Sequence, residues 1–332
     1  MDTLSGAVTV FVACAIGVII AGVNLAKFGD ELAEKTGWGK LWVGTVLVAV
    51  STSLPELTIN VSSVWVEQAP GIALGNIFGA NMMNVFVIAT VALLFGIRNL
   101  FGGHGKETEI LVKSGLVMVA VALLLAAWGD MKLGPTSVGA ILIALIYYFG
   151  MKKVYSASKA TEAASQEESS SAERGSPAKA WVGFLLASAA VIVAGKFLAE
   201  SANAIATITG LGAGFVGVLL VSMVTTLPEG SVTLAAAMRK SYGMAMGNVY
   251  GSCFFNLFII TISESFMPAG STLLGAMEPS HFVAGVGALG LMTMGFLAMK
   301  SAETPAMTSA KILTPAVPVI YVALMYVIYT MG

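Results

Sequence analysis

The chain has 332 residues, of which 57% are hydrophobic and 11% are charged, and its formal net charge is −1. Soluble domains carry about 25% charged residues, so this composition excludes an ordinary soluble protein and predicts an all-α polytopic membrane protein. Two cysteines, Cys14 and Cys253, lie inside apolar runs, which excludes a disulfide framework and a CxxC metal site.

Apolar runs long enough to span a bilayer follow one another along the chain. No basic segment precedes the first run, so we expect a retained helix rather than a cleaved signal. The runs predict ten transmembrane helices, at residues 5–26, 41–66, 70–97, 109–128, 134–150, 180–199, 212–238, 243–265, 281–299 and 310–331.

A polar segment rich in Ser, Ala and Glu separates the fifth run from the sixth. Such a composition is typical of a linker that buries little apolar surface. The predicted organisation is therefore a first five-helix repeat at 1–150, a cytoplasmic linker at 151–179 and a second five-helix repeat at 180–332.

Basic residues predict the orientation, because positively charged loops stay on the cytoplasmic side. Of the 17 lysines and arginines, all except Lys132 and Lys196 lie in or beside the odd-numbered loops. We therefore expect both termini on the non-cytoplasmic side of the cell (inner) membrane. Because each half has an odd number of helices, the two halves run through the membrane in opposite directions.

Two sequence blocks occur once in each half. Residues 51–56 read Ser-Thr-Ser-Leu-Pro-Glu and residues 224–229 read Val-Thr-Thr-Leu-Pro-Glu. Downstream, residues 75–84 match residues 247–256 in the pattern Gly-Asn-x-x-Gly-x-x-x-x-Asn. Together with the opposite orientation, this duplication predicts two inverted-topology repeats, an arrangement of secondary transporters whose binding site lies at the repeat interface.

Each repeated block places a carboxylate beside a proline at mid-depth in an apolar run. An ionised Glu56 or Glu229 there costs several kcal/mol unless it is compensated, so both residues are candidate functional groups. Pro55 and Pro228 have no N–H, which leaves nearby carbonyl oxygens without their helical partners. Carboxylate and carbonyl oxygens together suit a hard cation such as Ca²⁺.

Hydroxyl side chains share a helix face with each glutamate, because they precede it by three or four residues. The hydroxyls of Ser53 and Thr226, together with the same glutamates, offer smaller oxygen sites that would suit Na⁺. In the following helices, polar residues spaced by four line one face. For Asn76 and Asn248, hydrogen bonds between helices are favoured over a role as ligands. The hydroxyl positions are Thr52, Ser53, Thr225 and Thr226, and the later positions are Asn76, Ala80 and Asn84 in one half and Asn248, Ser252 and Asn256 in the other.

The paired blocks resemble the α-repeats of the Ca²⁺/cation antiporter superfamily, with the closest resemblance to its Na⁺/Ca²⁺ exchanger branch. The resemblance implies calcium binding by Glu56 and Glu229, with backbone carbonyls from Thr52 and Thr225, and alternating access by sliding of the first and sixth helices. It further implies sodium-site roles for Ser53, Thr226 and Ser252 and polar ligand positions at Asn84 and Asn256.

Two positions depart from the family pattern. Ala80 stands where the family usually has a serine, and Asn256 stands where some exchangers have an aspartate. The glutamate pair is intact, so these departures bear on ion selectivity and stoichiometry.

The leading hypothesis is a secondary active antiporter that exchanges Ca²⁺ for Na⁺. A Ca²⁺/H⁺ or other cation antiporter of the same fold stays open, although the helix after each motif lacks the acid that proton-coupled relatives commonly place there.

An enzyme is not expected, since no His-Glu-x-x-His or Gly-x-Ser-x-Gly motif is present, and His104 and His281 suggest no metal pair. We expect no cofactor and no nucleic-acid binding. The expected partners are the transported ions and the lipid bilayer, with the monomer as the functional unit.

Overall fold

The computed structural model describes residues 3–38, 40–66, 68–166, 176–209 and 222–331. Helices form most of this part of the chain, together with a short hairpin of β1 (Lys132–Leu133) and β2 (Thr136–Ser137). The helices are α1 (Leu4–Thr36), α2 (Lys40–Val43), a π-helical segment (Gly44–Val48), α3 (Ala49–Thr52), α4 (Leu54–Trp65), α5 (Pro70–Phe95), α6 (Ile97–Phe101), α7 (Lys106–Trp128), α8 (Val138–Gln166), α9 (Ala178–Thr209), α10 (Ser222–Thr225), α11 (Leu227–Met238), α12 (Tyr242–Glu264), a 3₁₀ turn (Leu274–Ala276), α13 (Pro279–Ala302) and α14 (Thr308–Met331).

Eight of the described helices are long and apolar enough to cross a membrane: α1, α5, α7, α8, α9, α12, α13 and α14. A ninth candidate is the broken pair Gly44–Thr52 and Leu54–Trp65, whose halves meet at 48°. The predicted seventh helix is described from residue 222 onward, as α10 and α11, and residues 212–221 lie outside the described part. The prediction of a largely helical, multi-pass membrane protein is confirmed.

The first helix is longer than its apolar run. We predicted an end near residue 26, and α1 continues to Thr36. In the extension, the buried Asp30 carboxylate accepts hydrogen bonds from the Arg239 Nε, at 2.8 Å, and from the Ser241 hydroxyl. The apolar run in the sequence ends where charged residues begin. The helix continues past that point, because Asp30 is hydrogen-bonded to residues in the connection between α11 and α12.

The predicted fifth helix, 134–150, was wrong at both ends. Its first residues belong to the hairpin, because a Gly-Pro pair makes the turn between β1 and β2. At the other end α8 continues to Gln166, so the first part of the segment that we assigned to the 151–179 linker is helical. The division of the chain into two repeats and a linker stays a prediction.

The centre of the molecule is formed by α5 and α12, which are buried along most of their length. The outer helices α1, α9 and α14 instead expose large apolar side chains, as at Ile20, Leu186 and Val319. In a membrane protein such faces contact lipid. The polar side chains of α5 and α12 are therefore enclosed by protein in the middle of the helical bundle.

Small residues let the π-helical segment lie directly against α12. A β-carbon added to Gly251 would lie 2.9 Å from the Thr45 Cα and 3.0 Å from its carbonyl oxygen. One added to Gly44 would lie 2.7 Å from the Met244 carbonyl oxygen. This backbone contact holds the helix that ends at Thr52 against the polar face of α12, as expected for small residues at membrane helix interfaces.

Candidate functional site

Both Leu-Pro-Glu segments interrupt their helices in the same way. Ser53 separates α3 from α4 with φ −88° and ψ 6°, and Thr226 separates α10 from α11 with φ −83° and ψ −4°. A proline follows within the first turn of each new helix and cannot donate to the carbonyl four residues earlier. Each break therefore presents backbone oxygens beside the glutamate that follows the proline.

The structure brings the two glutamates into one buried cluster. Ser53 donates a hydrogen bond from its hydroxyl to Glu229 Oε1 over 2.9 Å, which links one sequence block to the other. Glu56 interacts electrostatically with Glu229 and has Thr225 beside it. Both glutamates are 0% exposed. Side chains separated by more than 170 positions in sequence thus meet in one place.

Asn76 and Asn248 make matching contacts in the two halves. The Thr225 hydroxyl donates to Asn76 Oδ1 and the Thr52 hydroxyl donates to Asn248 Oδ1, both over 3.3 Å. Asn248 Nδ2 also donates to the Glu229 carbonyl oxygen over 3.0 Å. These amides link the helix breaks to α5 and α12, so the structure supports hydrogen bonding between helices for both asparagines.

Two further polar residues, which the sequence analysis missed, complete these links. Asn60 accepts from Asn76 Nδ2 over 3.3 Å, and Thr233 accepts from Asn248 Nδ2 over 2.9 Å. Each lies four residues after its glutamate, on the same helix face. Thr52 and Thr225 were selected because each precedes a glutamate by four residues. The same spacing, counted forward from each glutamate, identifies Asn60 and Thr233.

Several buried polar groups in the two repeated blocks lack a hydrogen-bond partner among the described residues. They include both amide atoms of Asn84 and of Asn256 and the hydroxyl of Thr226. All three side chains are buried. Buried polar groups are paired in nearly all proteins, so such a set calls for an explanation, for example a bound ion.

The two carboxylates differ in their donors. Glu229 Oε1 accepts from Ser53 and, over 3.4 Å, from Ser252 on α12. Neither oxygen of Glu56 has a donor within ordinary hydrogen-bond distance in the described part of the chain, although Thr225 lies beside this carboxylate. The matching position on α5 is Ala80, whose methyl group has no proton to donate. The alanine that departs from the family pattern therefore occurs in the same half as Glu56. Among the described residues, Glu56 accepts fewer hydrogen bonds than Glu229.

No ion pair between side chains of the described residues involves Glu56 or Glu229. Two buried carboxylates without a basic partner carry a large desolvation penalty that a proton or a metal cation would offset. Carboxylate, carbonyl, hydroxyl and amide oxygens are the ligands of hard cations. The residues present thus fit the binding of Ca²⁺ or Na⁺ at this cluster.

A cavity of about 300 Å³ reaches the second break from one side. It lies between α1, α5 and α11, and its walls are apolar apart from the side chains of Thr226 and Ser231. At its outer end it extends along α11 to Met238. The cavity thus borders the helix break that precedes Glu229.

Comparison with known proteins decides the family. Residues 6–151 and 179–331 match the family described as sodium/calcium exchanger protein, which covers most of the chain. The chain belongs to this family of exchangers. The sodium/calcium exchanger MaX1 of Methanosarcina acetivorans is 28% identical over 280 residues, or 73% of this chain and 78% of the relative. The putative antiporter CaxA of Alkalimonas amylolytica is 24% identical, covering 86% and 89% of the two chains.

A solved structure of the sodium-calcium exchanger NCX_Mj has the same fold. It superposes with a TM-score of 0.69 over 97% of this chain and 99% of the other, at 21% sequence identity. This exchanger-family chain is therefore a multi-pass membrane transporter, and the family identifies cation antiport as its class of activity. The resemblance to the Ca²⁺/cation antiporter superfamily is confirmed.

Proposed function

We propose that the protein is a secondary active antiporter that exchanges Ca²⁺ for Na⁺ across the membrane by alternating access. The observation that carries this proposal is the pair of fully buried glutamates, Glu56 and Glu229, without an ion-pair partner among the described residues. A captured cation would make both charges tolerable at this depth. Ca²⁺ and Na⁺ that compete for these carboxylates would be coupled to each other in transport.

Calcium takes about 6–8 oxygen ligands, which carboxylates, carbonyls and water together can supply. In our proposal Glu56 and Glu229 contribute their carboxylates, and Thr52 and Thr225 contribute backbone carbonyls. Sodium uses the same glutamates with smaller oxygen sites. The proposed additional ligands are Ser53, Thr226, Ser252, Asn84 and Asn256, and Ala80 leaves one position without a hydroxyl.

The proposed topology is ten spans in two inverted five-helix repeats, with both termini on the non-cytoplasmic side of the cell (inner) membrane. It is supported by the distribution of lysine and arginine and by the matching helix breaks. The helices α1 and α9 pack along each other at the rim, so they would move as a pair during alternating access. We propose that the monomer is sufficient and that no cofactor takes part.

The proposal is tested by calcium uptake into proteoliposomes. An outward sodium gradient should drive uptake by the wild type, and Glu56→Gln and Glu229→Gln should each reduce it to the level of empty liposomes. Glu31→Gln is the matched control, because this partly exposed glutamate pairs only with the nearby Lys35 among the described residues. Uptake by the glutamine variants equal to that of the wild type would contradict the proposal.

Proton coupling is the alternative. It is favoured by Glu56, whose carboxylate accepts no hydrogen bond within ordinary distance among the described residues, because a proton could replace the cation there. The same liposomes, in sodium-free buffer with an imposed pH gradient, separate the two functions. Ca²⁺/Na⁺ exchange predicts no calcium uptake under this condition. Uptake driven by the pH gradient and abolished by Glu56→Gln would establish the alternative.

A further inference from the structure

A second cluster of chemically active side chains lies outside the transport site. His104 is in the connection between α6 and α7, Glu109 is in the first turn of α7, and Glu303 follows α13. One ligand atom from each of the three lies within 4.8 Å of the others. His104 and Glu303 are far apart in sequence, so the expectation that His104 belongs to no metal pair rested on its neighbours along the chain.

The imidazole of His104 is aimed into this cluster and is 0% exposed. Its Nδ1 lies 2.7 Å from the Phe101 carbonyl oxygen, an acceptor, so Nδ1 carries the proton. Nε2 then presents its lone pair to Glu303 Oε1 at 3.3 Å and to Glu109 Oε1 at 3.6 Å. It has no hydrogen-bond partner among the described residues. A lone pair facing two carboxylate oxygens is unfavourable, and either a proton on Nε2 or a metal ion between these atoms would relieve it.

The two separations from His104 Nε2 suit a metal ion. Ligand atoms about 2.1 Å from a metal are about 3.0–3.4 Å apart in octahedral or tetrahedral geometry. The separations of 3.3 and 3.6 Å from Nε2 are close to that range. An imidazole with two carboxylates is typical of Zn²⁺ and similar transition metals, whereas Ca²⁺ prefers oxygen ligands alone.

Lysines partly neutralise the carboxylates. Lys300 Nζ donates to Glu109 Oε1 over 2.8 Å and to Glu303 Oε2 over 2.9 Å, and Lys113 donates to Glu109 Oε2 over 2.9 Å. None of these bonds involves His104 Nε2, which stays without a hydrogen-bond partner in the part of the chain that the structure describes. Lys300 also competes with a metal for Glu109 Oε1, so its charge should weaken metal binding.

We propose that His104, Glu109 and Glu303 bind a divalent transition metal ion, with Zn²⁺ as the representative. The ion would connect the α6–α7 segment to the turn between α13 and α14. Arg98 already joins the same elements, because its Nη2 donates to the Thr304 carbonyl oxygen over 2.9 Å. The bound metal therefore stabilises one rim of the helical bundle, independently of the ions that the protein transports.

The test measures Zn²⁺ binding to the purified full-length protein by titration calorimetry and thermal unfolding. It is made in a Glu56→Gln and Glu229→Gln background, which removes the proposed transport ligands. His104→Gln and Glu303→Gln should each weaken Zn²⁺ binding at least about tenfold. Glu31→Gln should leave it unchanged. Because Glu303 is 41% exposed, its variant should fold even if the histidine variant does not.

Lys300→Met distinguishes a metal site from a network of ion pairs. At a metal site, removing the competing ammonium should tighten Zn²⁺ binding, whereas in a purely structural network it should only lower the unfolding temperature. Equal Zn²⁺ binding by the parent and the Glu303→Gln variant would overturn the proposal. No binding to the parent, with unchanged behaviour in Lys300→Met, would overturn it as well.

Discussion

Replacing Glu56 by glutamine should separate stability from ion binding. Since neither carboxylate oxygen of Glu56 accepts a hydrogen bond in the described structure, the change breaks none there and removes a buried charge. The ion-free variant should therefore unfold at a temperature no lower than that of the wild type. Glu229→Gln should be slightly less stable than the wild type. The hydrogen bonds that Ser53 and Ser252 donate to the charged carboxylate would instead be donated to a neutral amide, which weakens them.

The calcium effect should be large in the wild type. Calcium at 100 times its dissociation constant stabilises the folded state by about 2.7 kcal/mol. Removing one member of a buried charge interaction costs about 2–5 kcal/mol, or roughly 30-fold or more in affinity. At the same calcium concentration the Glu56→Gln variant should then gain less than about 0.9 kcal/mol.

The assay is thermal unfolding in detergent with and without calcium. At about 2 °C per kcal/mol for a chain of this size, the wild type should gain about 5 °C and the variant less than about 2 °C. Glu31→Gln should behave as the wild type. A full calcium shift in Glu56→Gln would refute the reasoning that this carboxylate is a ligand.

Two further substitutions test particular contacts. Ala80→Ser should supply a donor near Glu56 and change the sodium concentration for half-maximal exchange by about 2- to 10-fold, measured by calcium uptake; an unchanged sodium dependence would exclude this contact. Gly251→Ala should lower the unfolding temperature, because its β-carbon would press on the Thr45 backbone, at a cost of about 1–3 kcal/mol. Gly290→Ala, whose β-carbon would meet no atom within 4 Å, should not lower it.

Local sequence was enough to predict weakened helices beside the two glutamates and their polar surroundings. Proline removes a helical hydrogen bond, which applies beside Glu56 and Glu229. The breaks themselves do not follow from proline alone, because α14 continues through Pro315 and Pro318. The four-residue spacing of Asn76 and Asn84 likewise places both on one helix face in any fold. These features depend on residues that are neighbours along the chain.

Other features depend on contacts between distant segments and were not predictable in this way. The π-helical segment is held where Gly44 lies against the backbone of α12. The extension of α1 depends on the pairing of Asp30 with Arg239. The approach of His104 to Glu303 requires the α6–α7 connection to meet the end of α13. Hydropathy and spacing report none of these distances.

The most direct test of the central claim is a crystal structure of the protein soaked in calcium. We expect one ion with an oxygen of Glu56 and an oxygen of Glu229 each at about 2.3–2.6 Å, and backbone oxygens from the helix breaks completing its shell. A calcium ion bound elsewhere, with the two carboxylates outside its coordination shell, would contradict the account.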